Sequence, residues 1–286
     1  MIDTSFLQSL KKFSLIMEKH VTSNLIGQRK SPMTGRGLIY KDHGIYSFGD
    51  DFRAIDWKVY ARTDKLHIKR FEEERNLTVH IIIDYSASMG FGTPVRKSDY
   101  ASMIGIGFAY MALGNNEKFV LSTFADSLEL FRARRGRNHI AVMVDYLNTK
   151  KAKGQSKLED SLLHYSRNID SRSMVIIISD FLYPCKEIES IVIRFKDHKL
   201  KLIQVLDKSE YDLDLEGDVK LTDPETNEKL QTFISPALKK QYKSQLLRHV
   251  SQIQHLCNQA KAEFHTISTS VPIFDAFVRI MNNNSR

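Results

Sequence analysis

The chain has 286 residues, and its hydrophobic fraction of 42% is enough for one large domain, or for a core domain with a smaller addition. Its two cysteines, Cys185 and Cys257, lie far apart in the sequence, which favours free thiols in a reducing compartment over a disulfide. The first residues show no secretory signal pattern, and no apolar run approaches the length of about 18 residues that a membrane span needs. The sequence therefore predicts a cytoplasmic protein without a membrane span.

The formal net charge of +8 makes nucleic acid or an anionic surface a possible partner. The basic residues are spread along the chain, with one dense cluster at Arg132, Arg134, Arg135 and Arg137. Neither an aromatic-and-basic RNA-binding pattern nor zinc-finger spacing accompanies this cluster. A solvated basic face is therefore favoured, and a nucleic-acid-binding protein that uses this face is the alternative.

Residues 1–75 are predicted to form an N-terminal helix followed by an extension that is dense in charged and aromatic side chains. Within it, Arg53, Asp56 and Arg62 are expected to form a buried ion-pair cluster. Trp57, the only tryptophan of the chain, would then be the apolar anchor of this cluster. A direct contact with a partner is the alternative role for these residues.

Residues 76–286 alternate between apolar runs and amphipathic patterns. The β-branched runs Leu77–Ile83 and Met174–Ile178 predict strands that are buried on both faces. Alternation of strands and helices predicts an α/β fold with a doubly wound, mostly parallel sheet and right-handed crossovers. An acidic segment and a hairpin at about 208–234 are predicted as an insertion.

The acidic segment is predicted to be extended because its carboxylates recur at every second position. Period two places such residues on one face of an extended chain. The five residues concerned are Glu210, Asp212, Asp214, Glu216 and Asp218.

Polar side chains follow the two buried strands at the point where each strand ends. Asp84, Ser86 and Ser88 come after the first strand, Asp180 comes after the second, and Ser156 lies in a glycine loop between them. Because the carboxyl ends of parallel strands meet at one edge of a sheet, we expect these loops to converge. The first loop offers only oxygen ligands, which suit a hard cation such as Mg²⁺ better than zinc. An ordinary Asx or Ser turn is the alternative for that loop.

The pattern Asp84-x-Ser86-x-Ser88, with a later loop hydroxyl and a later carboxylate, resembles the metal-ion-dependent adhesion site of von Willebrand factor A domains. The resemblance implies that Ser86 and Ser88 bind Mg²⁺ or Mn²⁺ directly, together with Ser156, which stands where the family usually has threonine. It also implies that the carboxylates of Asp84 and Asp180 often act through water.

The upstream extension narrows this resemblance. A bacterial family of unknown function, whose members accompany MoxR-type AAA+ ATPases, has a similar set of motifs: Tyr46, Gly49-Asp50-Asp51, Arg53, Ile55-Asp56-Trp57 and Ala61-Arg62. The later turn Asp223-Pro224-Glu225-Thr226 is also similar to that family's pattern. The resemblance implies a von Willebrand factor A-like, Rossmann-type domain. It also implies a MoxR-type ATPase, or a client protein of such an ATPase, as a partner. An octahedral Mg²⁺ held by these hydroxyls keeps an open position, which an acidic side chain of the partner would fill.

An enzyme is the competing class. Dehalogenase-type phosphatases also place an Asp after a buried strand, but they need a second Asp two residues later, where this chain has Ser86. Neither a nucleophile elbow nor a Walker loop occurs in the sequence. The sequence therefore predicts a non-enzymatic interaction module, and a Mg-dependent hydrolase is the less favoured alternative.

Overall fold

The computed structural model of the chain describes residues 2, 5–11, 34–35, 39–72, 78–131, 138–169, 171–213, 215–226 and 228–281. The chain divides into two compact units, a smaller one of Lys12–Asn76 and a larger one of Met1–Lys11 with Leu77–Arg286. The arginine cluster at 132–137 and Asp214 lie outside the described residues.

The smaller unit is built on a three-stranded antiparallel sheet. Its strands are β1 (Thr34–Gly35), β2 (Ile39–Ile45) and β3 (His67–Glu72), in the order β1-β3-β2. A 3-10 turn at Phe52–Ala54 and the helix α1 (Trp57–Thr63) connect β2 to β3.

Asp56 begins α1 and also binds two basic side chains of this sheet. Its Oδ1 accepts the backbone N–H of Lys58 at 3.0 Å, which satisfies one of the free donors at the helix start. Its Oδ2 lies 2.9 Å from Nε2 of His43 and 3.4 Å from Nζ of Lys69, which are cross-strand neighbours on β2 and β3. The hydrogen bond with His43 holds the pKa of Asp56 well below its usual range.

The prediction that Arg53, Asp56 and Arg62 form a buried cluster is wrong. Both arginines are exposed, and Nε of Arg62 donates to the carbonyl of Lys58, one turn back on α1. Trp57 is 62% exposed and anchors no buried cluster. Strand pairing determines the partners of Asp56, because it brings a histidine and a lysine to this carboxylate instead of the two arginines.

The larger unit contains a six-stranded sheet and a separate hairpin. Its strands are β4 (Val79–Asp84), β5 (Phe119–Phe124), β6 (Leu128–Phe131), β7 (Met174–Ser179), β8 (Lys199–Leu206), β9 (Gly217–Thr222), β10 (Lys229–Ile234) and β11 (Glu263–Ser268). The large sheet has the order β11-β8-β7-β4-β5-β6, and every neighbouring pair is parallel except β5 with β6. The mostly parallel α/β sheet predicted from the sequence is confirmed.

Helices flank this sheet. They are α2 (Lys97–Gly114), α3 (Asn138–Thr149), α4 (Leu158–Ser166), α5 (Cys185–Arg194), α6 (Lys208–Asp212), α7 (Pro236–Gln259) and α8 (Ile273–Met281). Residues 5–11 are also helical, and Phe6 stacks on Phe274 with ring centroids 5.9 Å apart. Within the described part of the chain, no helix has the length and apolar character that crossing a membrane requires.

The core lies on both faces of the sheet, because successive side chains of a strand point to opposite sides. Ile81 and Ile83 of β4 pack against Gly105 of α2, where a Cβ would lie 2.7 Å from Cδ1 of Ile83. Ile82 points to the other face and shares its cluster with Leu162 of α4. With helices covering both faces, the carboxyl edge of the sheet is the part that remains open for a site.

The segment after β8 is helical rather than extended. The side chain of Asp207 accepts the N–H of Ser209 at 3.0 Å, and Glu210 Oε2 accepts the N–H of Asp207 at 2.9 Å, which forms a capping box. The predicted extended carboxylate face is therefore wrong for Glu210 and Asp212, which belong to α6. A local capping signal overrides the period-two pattern here.

Candidate functional site

The order of strands changes direction between β4 and β7. From β4 the chain continues to β5 on one side, and it later returns to β7 on the other side of β4. In α/β sheets such a switch point opens a crevice at the carboxyl ends of the strands. Asp84 ends β4 and Asp180 follows β7, so both carboxylates lie at this crevice.

Asp84 is fully buried, and both of its carboxylate oxygens accept hydrogen bonds. Oδ1 accepts the N–H of Ser86 at 2.8 Å, and Oδ2 accepts the hydroxyls of Ser179 at 2.7 Å and Tyr183 at 2.5 Å. Burial raises the pKa of the Asp84 carboxyl to about 6, and the charge of Asp180 adds to this rise. Asp84 therefore acts by holding the Ser86 loop and Tyr183 in place.

Ser86, Ser88 and Asp180 form a close set of oxygens. The hydroxyl oxygens of Ser86 and Ser88 are 3.1 Å apart, and the Ser88 hydroxyl donates to Oδ2 of Asp180 at 2.8 Å. Around an octahedral Mg²⁺ with ligands at about 2.0–2.1 Å, neighbouring oxygens are roughly 2.9 Å apart. The spacing of Ser88 from Ser86, and its spacing from Asp180, each fit neighbouring positions around such an ion.

Ser156 is held apart from this set by Tyr183. The Ser156 hydroxyl donates to the Tyr183 hydroxyl at 2.5 Å, and Tyr183 in turn donates to Asp84. Burial and the neighbouring carboxylates raise the pKa of Tyr183, so the phenol stays neutral and keeps its donor. Ser156 therefore reaches Asp84 through the tyrosine.

Lys97, the first residue of α2, brings a buried positive charge to the site. Its side chain is fully buried, and Nζ lies 2.9 Å from Oδ2 of Asp180 and 2.7 Å from Oε1 of Glu210. Burial disfavours the charged form of Lys97, but Asp180 and Glu210 outweigh burial and raise its pKa. The ammonium is therefore charged and neutralises part of the carboxylate charge at the crevice.

An open cleft of about 420 Å³ lies above these groups. Ser88, Phe91, Leu182 and Tyr183 contribute to its walls. Four carboxylates also line it: Asp180, Glu210, Asp223 and Glu225. Because these outnumber the Lys97 ammonium, the cleft has a negative potential that attracts cations. No described group of three or more His, Cys, Asp or Glu side chains is arranged to hold a metal, so a cation here depends on serine hydroxyls.

The tip of the β9–β10 hairpin reaches this cleft. Oε2 of Glu225 accepts the backbone N–H of Ser156 at 3.1 Å. Oδ1 of Asp223 accepts the N–H of Glu225 at 2.8 Å, which fixes the turn that presents Glu225. A residue far along the chain thus occupies the backbone donor next to the Ser156 hydroxyl.

Lys97, Tyr183 and Glu225 are site residues that the sequence reasoning missed. Tyr183 follows Asp180 by three residues in the same loop, and this short separation was a usable signal. Lys97 stands beside Arg96 in what reads as an ordinary solvated basic pair, so no local signal marks its burial.

The family described as "Protein of unknown function DUF58" matches residues 43–252 of the chain. Two curated relatives are uncharacterized proteins, Rv1480 of Mycobacterium tuberculosis and Mb1516 of Mycobacterium bovis. Each is 26% identical over 289 residues, and the match covers 99% of this chain and 91% of the relative.

Three solved structures are similar at low identity. Conserved hypothetical protein BatB from Bacteroides thetaiotaomicron is 13% identical with a TM-score of 0.43, covering 72% of this chain and 97% of that one. An aerotolerance-related membrane protein from Bacteroides fragilis is 13% identical with a TM-score of 0.44, covering 72% and 98%. An uncharacterized membrane spanning protein from Vibrio fischeri is 14% identical with a TM-score of 0.26, covering 70% and 94%.

Two of these three structures are described as membrane proteins. This finding contradicts the cytoplasmic location expected from the sequence, and that assignment is withdrawn.

Proposed function

The chain belongs to DUF58, a family of proteins of unknown function, and on the geometry of its cleft we propose that it is a non-enzymatic protein-interaction module that binds Mg²⁺ or Mn²⁺. One observation carries the proposal: the Ser88 hydroxyl, at the wall of an acidic cleft, lies 3.1 Å from the Ser86 hydroxyl and 2.8 Å from Oδ2 of Asp180. This spacing supports a hard cation with oxygen ligands.

Each predicted residue has a distinct part in this proposal. Ser86, Ser88 and Asp180 would hold the cation. Asp84 fixes the Ser86 backbone through the 2.8 Å hydrogen bond from its N–H, and it fixes Ser156 through Tyr183. Asp84 and Ser156 are thus positioning residues, which refines the direct role that the resemblance implies for Ser156.

The partner is proposed to present an acidic side chain to the cleft. Without a cation, the four carboxylates of the cleft repel a carboxylate of the partner, since like charges at short range are unfavourable. A bound divalent cation supplies the positive charge and the open coordination position that such a side chain needs. Recognition should therefore depend on divalent cations.

The finer fold assignment and the partner class rest on the resemblance of sequence motifs. The switch-point location of Asp84 and Asp180 supports a von Willebrand factor A-like domain. The motifs between Gly49 and Arg62 support a MoxR-type AAA+ ATPase, or a client protein of such an ATPase, as the partner.

The test of cation binding is thermal unfolding of the purified chain in EDTA and across a titration of Mg²⁺ or Mn²⁺. A ligand at a hundredfold excess over its Kd adds about 2.7 kcal/mol to the stability of the folded state. The double variant Ser86→Ala with Ser88→Ala should lose this gain. Ser190→Ala removes a hydroxyl of α5 that binds Glu159, and it should keep the gain. A wild-type chain that melts identically in metal and in EDTA contradicts the proposal.

The test of the interaction is the affinity for an isolated MoxR-type ATPase in Mg²⁺ and in EDTA. We expect binding in Mg²⁺ and its loss in EDTA and in the double serine variant. Hydrolysis of generic phosphoester and peptide substrates is measured alongside. Metal-dependent turnover that disappears in the double variant would overturn the non-enzymatic assignment.

A further inference from the structure

We propose that the β9–β10 hairpin is an internal competitor for the cleft, and that Glu225 at its tip occupies the Ser156 N–H beside the proposed cation site until an acidic partner displaces it. The inference rests on the proposed function in one respect, namely that the partner side chain is acidic. It adds a regulatory contact that lies wholly within this chain.

The contact between the tip and the cleft has the chemistry of a bound acidic ligand. Glu225 places one carboxylate oxygen 3.1 Å from the Ser156 N–H, a charge-assisted hydrogen bond from the backbone to an anion. Asp223 and Glu225 both line the cleft, so the tip brings two carboxylates to a surface that already carries Asp180 and Glu210. The hydrogen bond from Ser156 therefore holds the tip in the cleft although the carboxylates of Asp180 and Glu210 repel it.

The donor that Glu225 occupies belongs to the predicted site. Ser156 offers its N–H to Glu225 and its hydroxyl to Tyr183, and Tyr183 donates to Asp84. A carboxylate on the Ser156 N–H thus lies one residue from the hydrogen-bond chain that orders the Ser86 loop. An acidic side chain of a partner that approaches the cleft meets the same donor.

The hairpin is weakly attached to the rest of the larger unit. Its strands pair with each other and with no other described strand. Leu230 and Phe233 are each 61% exposed, and of the two strands only Ile234, at the end of β10, is buried. Near its base, Lys239 lies 2.9 Å from Glu216 in an exposed ion pair, which is a weak kind of contact. Such an element can leave the cleft without unfolding the domain.

Self-occupation lowers the apparent affinity of any ligand for the same position, because the ligand binds only the fraction of molecules in which the position is free. Removing the charge-assisted hydrogen bond between Glu225 and Ser156 raises the fraction of molecules with a free position by about tenfold. Loss of the Glu225 carboxylate should therefore strengthen binding of an acidic ligand by about tenfold.

The probe is a labelled peptide with the chain's own tip sequence, residues 221–230, added to the intact protein. We expect Glu225→Ala to bind this peptide about tenfold more tightly than the wild-type chain does. Glu228→Ala is the matched control, since it removes the same charge from the same hairpin at a residue that does not line the cleft. A peptide with the E225Q change should bind at least tenfold more weakly to the Glu225→Ala protein.

Amide hydrogen exchange gives a second measurement that does not depend on affinity. Exchange at Ser156 should be faster in Glu225→Ala than in the wild-type chain, and it should slow again when the peptide is added. Unchanged exchange at Ser156 in Glu225→Ala, or equal peptide affinity of Glu225→Ala and the wild-type chain, overturns the inference.

Running each arm in Mg²⁺ and in EDTA separates the two proposals. If the metal stabilises the chain through Ser86 and Ser88 but Glu225→Ala binds the peptide no better than wild type, the competitor inference fails and the cation site stands. If Glu225→Ala binds the peptide about tenfold better in both buffers, the competitor inference stands and the cation requirement fails.

Discussion

Replacement of the buried Lys97 by methionine tests the charge balance at the floor of the cleft. Methionine has a similar length and no charge, so the change leaves Asp180 and Glu210 without their ammonium partner. The Nζ distances of 2.9 Å and 2.7 Å make both ion pairs close, and the lysine side chain has no exposed surface. Removing one partner of a buried ion pair costs about 3–5 kcal/mol, because the remaining charges stay buried and unpaired.

The lower part of that range is expected here. The Asp180 side chain is 3% exposed, but that of Glu210 is 20% exposed and can regain water. A loss of about 3 kcal/mol corresponds to a decrease in Tm of roughly 6–12 °C for a domain of this size class. Since net stabilities are typically about 5–15 kcal/mol, the variant should still fold at room temperature.

The assay is urea unfolding and thermal unfolding of the wild-type chain, Lys97→Met and the matched control Lys201→Met. Lys201 is also buried, and it pairs with Glu263 away from the cleft. Both variants should lose stability, but Mg²⁺ should restore more of the loss in Lys97→Met, where Asp180 has lost its ammonium. Wild-type stability in Lys97→Met, or equal recovery of the two variants in Mg²⁺, would refute the reasoning.

Two further predictions concern the core. Burial lowers the pKa of His80 from 6.5 to about 4, and the charge of His198 adds to this decrease. Between pH 6.5 and pH 4, the folded state therefore binds fewer protons than the unfolded chain. Stability should therefore fall as the pH decreases from about 6.5 to about 4, by about 3 kcal/mol, and urea unfolding of His80→Gln should lack this slope. A Cβ at Gly107 would lie 1.9 Å from Cζ of Phe277, so Gly107→Ala should cost about 1–3 kcal/mol. Adding Phe277→Leu should recover part of that cost in a double-mutant cycle, and strictly additive losses would contradict the packing explanation.

Sequence patterns located the framework of the site because that framework depends on local order along the chain. The short β-branched apolar runs before Asp84 and Asp180 predicted buried strands, and parallel strands end at one edge of a sheet. The D-x-S-x-S spacing then placed Ser86 and Ser88 on the first loop, where the structure brings Ser88 to Asp180 and Ser86 to Ser88.

Sequence patterns did not predict the structure where one local signal competes with another, or where a side chain's partner comes from a distant segment. Period two in the acidic segment suggested an extended chain, but the capping box of Asp207 and Glu210 forms a helix. The sequence predicted two arginine partners for Asp56 from its own segment, whereas strand pairing places His43 and Lys69 beside it.

What the sequence by itself determined is therefore the strands of the large sheet, most of the helices around it, and the residues that follow the strands at the carboxyl edge. Only the tertiary structure decided which side chain neutralises the carboxylates at that edge and which side chain occupies the backbone donor there. Lys97 reaches Asp180 across 83 residues of sequence, and Glu225 reaches Ser156 across 69. Periodicity reports which face of an element is buried, but it carries no information on which distant side chain meets that face. Such contacts form when helices pack on the sheet and the hairpin tip reaches the cleft, and burial then sets their charge and strength.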